Sequence, residues 1–157
     1  MSRRYWLIKS EPQKYSFAQL MRDGQTMWDG VRNFEARNNM RAMKQGDLVL
    51  FYHSSEGKAV AGVARVKREA YPDPTADAEE DWSVVDIEPV APLKAQVALD
   101  TIRGDESLVE ISLLKRSRLS VVPVSKEHFD RVLKLGKTPV MMVKPKGAIA
   151  ESGDAGN

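Results

Sequence analysis

No run of apolar residues in this chain is longer than five, and the longest, Leu48 to Tyr52, lies between Asp47 and His53. A helix that crosses a bilayer needs about 20 apolar residues in succession, so no transmembrane helix is expected. Short runs broken by proline, glycine and charge read instead as strands and short helices. Tyr5 to Lys9 is a β-prone segment ended by Glu11-Pro12, because a residue before proline is pushed out of the helical region and proline cannot donate a ladder bond. Ser16 and Gln19 have capping-box spacing and open a short helix with Phe17, Leu20 and Met21, closed by Gly24. A second helix over about residues 32–44 sets Ala36, Met40 and Met43 on one stripe, with Arg37, Arg41 and Lys44 about 100° round the axis.

Leu48 to His53 and Ala59 to Arg68 read as a hairpin around the polar turn Ser54-Ser55-Glu56-Gly57. Gly62 and the alanines of its second strand leave little side chain, so either a sheet packs close there or another group approaches the backbone. Tyr71-Pro72-Asp73-Pro74 breaks that strand. Trp82 to Val90 alternates as a strand, Leu99 to Arg103 is a helical turn, and Glu106 to Leu114 fits either state. Leu119 to Val124 is a strand interrupted by Pro123, and Ser125 caps a last helix whose Phe129, Val132 and Leu133 face inward before Gly136 ends it. Strands and helices do not alternate in βαβ order. The expected class is therefore α+β: a mixed or largely antiparallel sheet of about five or six strands, curled into a small barrel with short helices on its flanks. One domain over 1–136 is expected, with 137–157 a poorly ordered tail.

A chain of 157 residues can bury a core without staples, which suits its complete lack of cysteine. Zinc ribbons, thiol redox chemistry, a cysteine nucleophile and disulfides are excluded, and two histidines, His53 and His128, are too few for a histidine-built metal site. No metal and no cofactor is expected. The opening holds only Trp6, Leu7 and Ile8 as an apolar stretch before Lys9, which does not read as a signal peptide. A cytoplasmic monomer with no membrane contact is the expectation.

The net charge of +2 conceals an uneven distribution. Residues 1–69 carry 13 Lys/Arg against seven Asp/Glu, whereas residues 70–157 carry 11 against 15. Ten of the eleven aromatics lie at or before Trp82, which joins base-stacking rings to phosphate-neutralising charge in one half. The acidic half, residues 70–157, is expected to face elsewhere, and within it Asp73 to Glu88 holds seven acids and no base. Three constellations stand out. Lys9-Ser10-Glu11 ends an apolar strand with a donor, a hydroxyl and a carboxylate, where a barrel mouth would lie. Trp28-Asp29-Gly30-Val31-Arg32-Asn33 combines a π-face, base-edge hydrogen-bonding groups and a cation at a helix start, from which Arg37, Arg41 and Lys44 would extend a phosphate track. Lys115 to Ser120 is a basic cluster before a strand. Each has a structural explanation too: a solvated strand end, a core tryptophan with a dipole-facing acid, a charge balance. Ser54 and Ser55 beside His53 read as a solvated turn rather than a nucleophile and base. No P-loop, GxGxxG, HExxH or GxSxG pattern occurs.

The segments Tyr-Trp-Leu-Ile-Lys-Ser-Glu-Pro at 5–12, Trp-Asp-Gly-Val-Arg-Asn-Phe-Glu-Ala-Arg-Asn at 28–38 and Met-Lys-Gln-Gly-Asp-Leu-Val-Leu-Phe-Tyr-His-Ser at 43–54 resemble the EVE family. So do Ala-Gly-Val-Ala at 61–64, Tyr-Pro-Asp-Pro-Thr at 71–75 and Arg-Leu-Ser-Val-Val-Pro-Val at 118–124, a likeness spanning about residues 4 to 135. The resemblance implies a PUA-like fold related to YTH and ASCH domains, and recognition of a modified cytosine or adenine in DNA or RNA. Carried over by position, the pocket residues are Lys9, Ser10, Trp28, Val31, Arg32, Asn33, Tyr52, His53 and Ser54, with Arg118 and Ser120 nearby. By the same resemblance, Phe34 stands where many members of the family carry Tyr. The leading expectation is a non-catalytic module in which a base stacks on Trp28 or a neighbouring aromatic and is read by Ser10 and Asn33. The alternative is an ASCH-like hydrolase of a modified nucleoside using Lys9 and Glu11, and a third is a partner-binding scaffold using the acidic stretch 73–88.

Overall fold

Leu48–His53 is apolar on both faces because it runs through the middle of the sheet. In the computed structural model, which describes residues 3–139, it is β3, with β1 (Tyr5–Ser10) parallel on one side and β4 (Ala59–Pro72) antiparallel on the other. Beyond β4 lie β5 (Ser83–Ala98) and the two-residue β2 (Thr26–Met27), and beyond β1 lies β6 (Val121–Val124). The order β2-β5-β4-β3-β1-β6 makes a mixed, largely antiparallel six-stranded sheet, as expected. Its ladder is open, with β2 and β6 at its two ends.

Around the sheet stand α1 (Phe17–Asp23), α2 (Phe34–Ala42), α3 (Leu99–Arg103), α4 (Ser112–Lys115) and α5 (Lys126–Leu135), with a 3₁₀ turn at Glu106–Leu108. The apolar stripes read from spacing are buried: Ala36, Met40 and Met43 under α2 and its end, Phe129, Val132 and Leu133 under α5. Met21 departs from this, being largely exposed. Ser16 caps α1 by accepting from the Gln19 N–H, but the Gln19 amide turns to Asp23 instead of completing the box.

Several boundaries differ from expectation, three of them with a clear physical cause. The second helix is shorter than 32–44, because Asn33 is its N-cap and Met43 already has extended backbone. β4 continues through Tyr71-Pro72 by pairing with Val84 and Ser83. β5 runs on to Ala98 through Pro89 and Pro92. β2 covers β5 only at Asp86 and Ile87, so the prolines lie where one side of the strand has no partner and the register against β4 shifts. Pro123 is accommodated likewise, on the terminal strand β6.

Asp47 joins the start of β1 to the end of α2: its buried carboxylate accepts from the backbone N–H of Arg4 (3.0 Å) and Lys44 (2.9 Å) and from Trp6 Nε1 (2.9 Å). After α5, Gly136 O accepts from Ala95 N–H, and the buried Thr138 accepts from Lys94 N–H through Oγ1, which holds the first residues of the expected tail against β5. The rest of that tail, from residue 140, lies outside the described residues.

Gly62 shows which close approach its strand provides. A Cβ there would lie 2.5 Å from Cζ and 2.7 Å from Cδ2 of Phe17, so the ring of α1 lies directly on the β4 backbone. Gly62→Ala is therefore expected to cost about 1–3 kcal/mol by overpacking, read as a lowered urea midpoint at unchanged slope.

Candidate nucleic-acid interface

Two hydrogen-bonded strand ends and one clamped loop make the site. Parallel pairing of β1 with β3 sets Lys9 beside Tyr52 and Ser10 beside His53, and Ser54 N–H donates to Ser10 O (2.8 Å). Lys9 N–H donates to Ser120 O (3.0 Å), which brings in the 116–120 segment. The Trp28 backbone N–H donates to Val85 O, and its indole meets Tyr15 and Phe51 at nearly perpendicular angles. Gly30 takes a positive φ of 80°, a conformation glycine adopts freely, and the chain turns there toward α2.

These elements enclose a cavity of about 640 Å³. Eight of the eleven expected pocket residues line it: Lys9, Ser10, Trp28, Val31, Arg32, Ser54, Arg118 and Ser120. Three do not. Asn33 Oδ1 is committed to the Ala36 N–H (2.9 Å) as the cap of α2, so the expected base-reading amide spends its acceptor on the helix. Tyr52 opens into an adjoining cleft of about 630 Å³ on the far side of Lys9 and Ser54. His53 Nε2 accepts from the Phe17 N–H (3.0 Å), which leaves its proton on Nδ1 and makes it an anchor for α1.

Burial holds the His53 imidazole below its ordinary 6.5. The neutral form is favoured in the fold, so the unfolded chain takes up the proton first. This contribution to stability is complete above pH 6.5 and is lost as pH falls through that value toward the folded one. Denaturant unfolding at pH 7.5 and 5.5 is expected to show lower stability at the acid end, and His53→Ala to flatten that difference.

The remaining lining includes Glu11, Lys14, Tyr15, Thr26, Met27, Asp29 and Gly30. Four cations and two carboxylates thus surround the cavity, a net positive field. Lys9 Nζ donates to Ser117 O (2.9 Å) and Arg116 O (3.2 Å), and burial lowers its pKa. It pins a loop. β1 ends at Ser10, yet Glu11 still borders the same cavity, half-exposed and 3.8 Å from Lys14. Ser10 Oγ donates to Tyr15 O, which leaves its lone pairs free to accept. Among the described residues, the hydroxyls of Ser54 and Ser120 and the guanidinium of Arg118 have no hydrogen-bond partner.

Asp73 organises the cavity wall and was not singled out for this from the sequence. One oxygen accepts from Gly30 N–H (3.1 Å) and Arg32 Nη1 (2.9 Å), the other from Thr75 N–H (2.7 Å) and Thr75 Oγ1 (2.6 Å). Burial pushes this carboxyl up, but hydrogen bonds from Thr75, Arg32 and Gly30 outweigh it and hold the pKa at about 2. The expectation that the acidic half faces elsewhere is therefore overturned for its 73–81 segment. It folds onto the basic helix, where Asp81 accepts from Arg41 Nη2 (2.6 Å) and lies 3.6 Å from Arg37. Of the expected phosphate track, Lys44 alone has no ion-pair partner among the described residues. No group of three or more metal-ligating side chains occurs among them either, and no helix there is long and apolar enough to cross a membrane.

Residues 4–135 match the EVE domain. The chain belongs to the EVE domain family. Human thymocyte nuclear protein 1 is 35% identical over 164 residues, covering 83% of this chain and 73% of that protein. The crystal structure of the human THYN1 protein in complex with 5-methylcytosine-containing DNA superposes with a TM-score of 0.80 at 33% identity, covering 86% of this chain and 98% of that one. An Agrobacterium tumefaciens protein matches with a TM-score of 0.86 and 41% identity over 91% of this chain and 99% of that one. At 16% identity and a TM-score of 0.54, the YTH domain of a Zygosaccharomyces rouxii protein, solved with N6-methyladenosine RNA, shares the fold over 85% of this chain and 86% of that one. EVE and YTH domains are PUA-like folds, which places this sheet among them.

Proposed function

We propose that this EVE domain binds nucleic acid and takes a modified base, with methylated cytosine first and methylated adenine second, into the cavity beside Trp28. The observation that carries this reading is the composition of the cavity: an indole wall, hydroxyls with free lone pairs and a net positive rim, in a chain related to a human protein solved with 5-methylcytosine-containing DNA. Cytosine and adenine both present an exocyclic amine, a donor that matches the accepting Ser10 hydroxyl. Arg118 and Lys14 at the rim suit phosphates, whose contacts release counterions. Titration of methylated against unmethylated oligonucleotides at two salt concentrations tests the reading: preference for the methylated strand and weaker binding at higher salt support it, and equal affinity for every strand counts against it.

Asp81 bears on the same surface. It occupies Arg37 and Arg41 much as a backbone phosphate would. Asp81→Asn removes the competing carboxylate charge while both guanidinium groups keep their bonds to the Asp81 carbonyl, Asn38 and Ser83, and it is expected to tighten binding by up to about fivefold and steepen its salt dependence, since an exposed pair of this kind is worth about 1 kcal/mol at most.

A further inference from the structure

The cavity leaves one feature of its surroundings unused. Phe34, the first residue of α2, is 65% exposed, the most exposed of the large apolar side chains described. Its ring stacks on Trp82 with centroids 5.1 Å apart and planes within 15°. The guanidinium of Arg37 lies 5.0 Å from the Phe34 centroid and 5.8 Å from that of Trp82. Nearly equidistant from both rings, it sits at the edge of the pair and leaves the outer face of Phe34 uncapped. An exposed ring backed by a second, parallel ring is a flat apolar surface of the kind that marks an interaction site.

Arg32 connects this pair to the cavity. Its guanidinium carbon lies 5.6 Å from the Trp82 ring, and the same side chain lines the cavity wall. Nη1 is committed to Asp73 and to Val31 O, whereas Nη2 has only a 3.5 Å contact with Thr75 Oγ1. One side chain thus spans the distance between the two features and keeps a donor for whatever lies between them. We propose that the outer face of Phe34, backed by Trp82, is the stacking platform for the base next to the one in the cavity, with Arg32 Nη2 on the phosphate that links them. The proposal rests on the reading of the cavity as a base pocket and adds a second subsite to it. Every base has a π-face, so the platform contributes affinity without sequence preference, and the cavity retains the selectivity.

The test compares two probes by calorimetry, the nucleoside 5-methyl-2′-deoxycytidine and a DNA trinucleotide with 5-methylcytosine at its centre, on the full chain and on Phe34→Ala and Phe34→Tyr. Phe34→Ala is expected to weaken the trinucleotide roughly tenfold while leaving the nucleoside unchanged, because only the former reaches the platform. Phe34→Tyr, which keeps the ring, is expected to bind both as the wild type does. Equal trinucleotide affinity in Phe34→Ala and wild type overturns the platform, as does an equal loss for both probes. If the wild type does not prefer the methylated trinucleotide to an unmethylated one, the base-pocket reading fails, and the platform is still decided by the effect of Phe34→Ala on the trinucleotide.

Discussion

Asp73→Ala is expected to lose roughly 2 to 3 kcal/mol of stability and to weaken nucleic-acid binding as well. The carboxylate holds the Gly30 N–H, Arg32 and both polar groups of Thr75, and it is the main anchor that joins the 28–32 loop to the 71–75 segment, beside a long 3.5 Å contact from Arg32 Nη2 to Thr75 Oγ1. A fall from an ordinary 3.8 to about 2 corresponds to about 2 kcal/mol in favour of the ionised form. Removing one partner of a fully buried ion pair costs about 3–5 kcal/mol, but the Arg32 side chain is 37% exposed, so its abandoned charge is rehydrated and the lower range applies. The sign with pH follows. Because the folded pKa is depressed, the stabilisation is present above pH 3.8 and is lost as pH falls through that value toward 2. Urea unfolding at pH 7 and pH 3 checks both statements: the stability difference between wild type and Asp73→Ala shrinks by about half at the acid end. Wild-type stability and wild-type binding in Asp73→Ala at pH 7 would show that the loop is held by other contacts.

Trp28→Ala is expected to have the largest effect on binding while the strand pairing beside it is kept. The indole is half-buried and packs against Tyr15 and Phe51, while the strand pairing near it runs through the backbone, which alanine retains. Base–aromatic stacking is worth about 1–3 kcal/mol, so affinity for a methylated strand is expected to fall between about fivefold and 150-fold. The methyl group itself adds about 0.8 kcal/mol of burial, roughly a fourfold preference, and more if the cavity fits it closely. Stacking therefore dominates affinity, and the methyl contact sets selectivity only while the indole holds the base in place. Retained rim cations such as Arg118 predict that the variant still binds any strand weakly at low salt.

How far the sequence reached can be seen residue by residue. Ala36, Met40 and Met43 were legible because helical periodicity alone places them on one face, and Leu48 to His53 because a run apolar on both faces belongs in the middle of a sheet. The prolines of β5 hid its length, since their tolerance depends on β2 covering only two of its residues. Asn33 looked like a base reader because a cap and a reader are the same residue type at the same helix start. His53, adjacent in sequence to pocket residues, turned its ring to the Phe17 N–H of another element. Asp73 and Asp81 were read as part of a charge run. Their partners lie some forty residues away, a tertiary pairing that composition does not reveal. The Pro-Asp-Pro-Thr setting of Asp73, with a hydroxyl two residues on, was the available signal that this acid is held in a turn.

The most direct measurement is the ratio of affinities for a methylated and an unmethylated oligonucleotide of one sequence, taken for wild type and Trp28→Ala at the same salt concentration. With 5-methylcytosine and N6-methyladenine strands as probes, at least one is expected to bind the wild type several-fold more tightly than its unmethylated counterpart, and Trp28→Ala to lose both that preference and most of the affinity. A wild type that binds all strands equally, or a Trp28→Ala variant that keeps the full preference, would contradict a modified-base pocket beside Trp28.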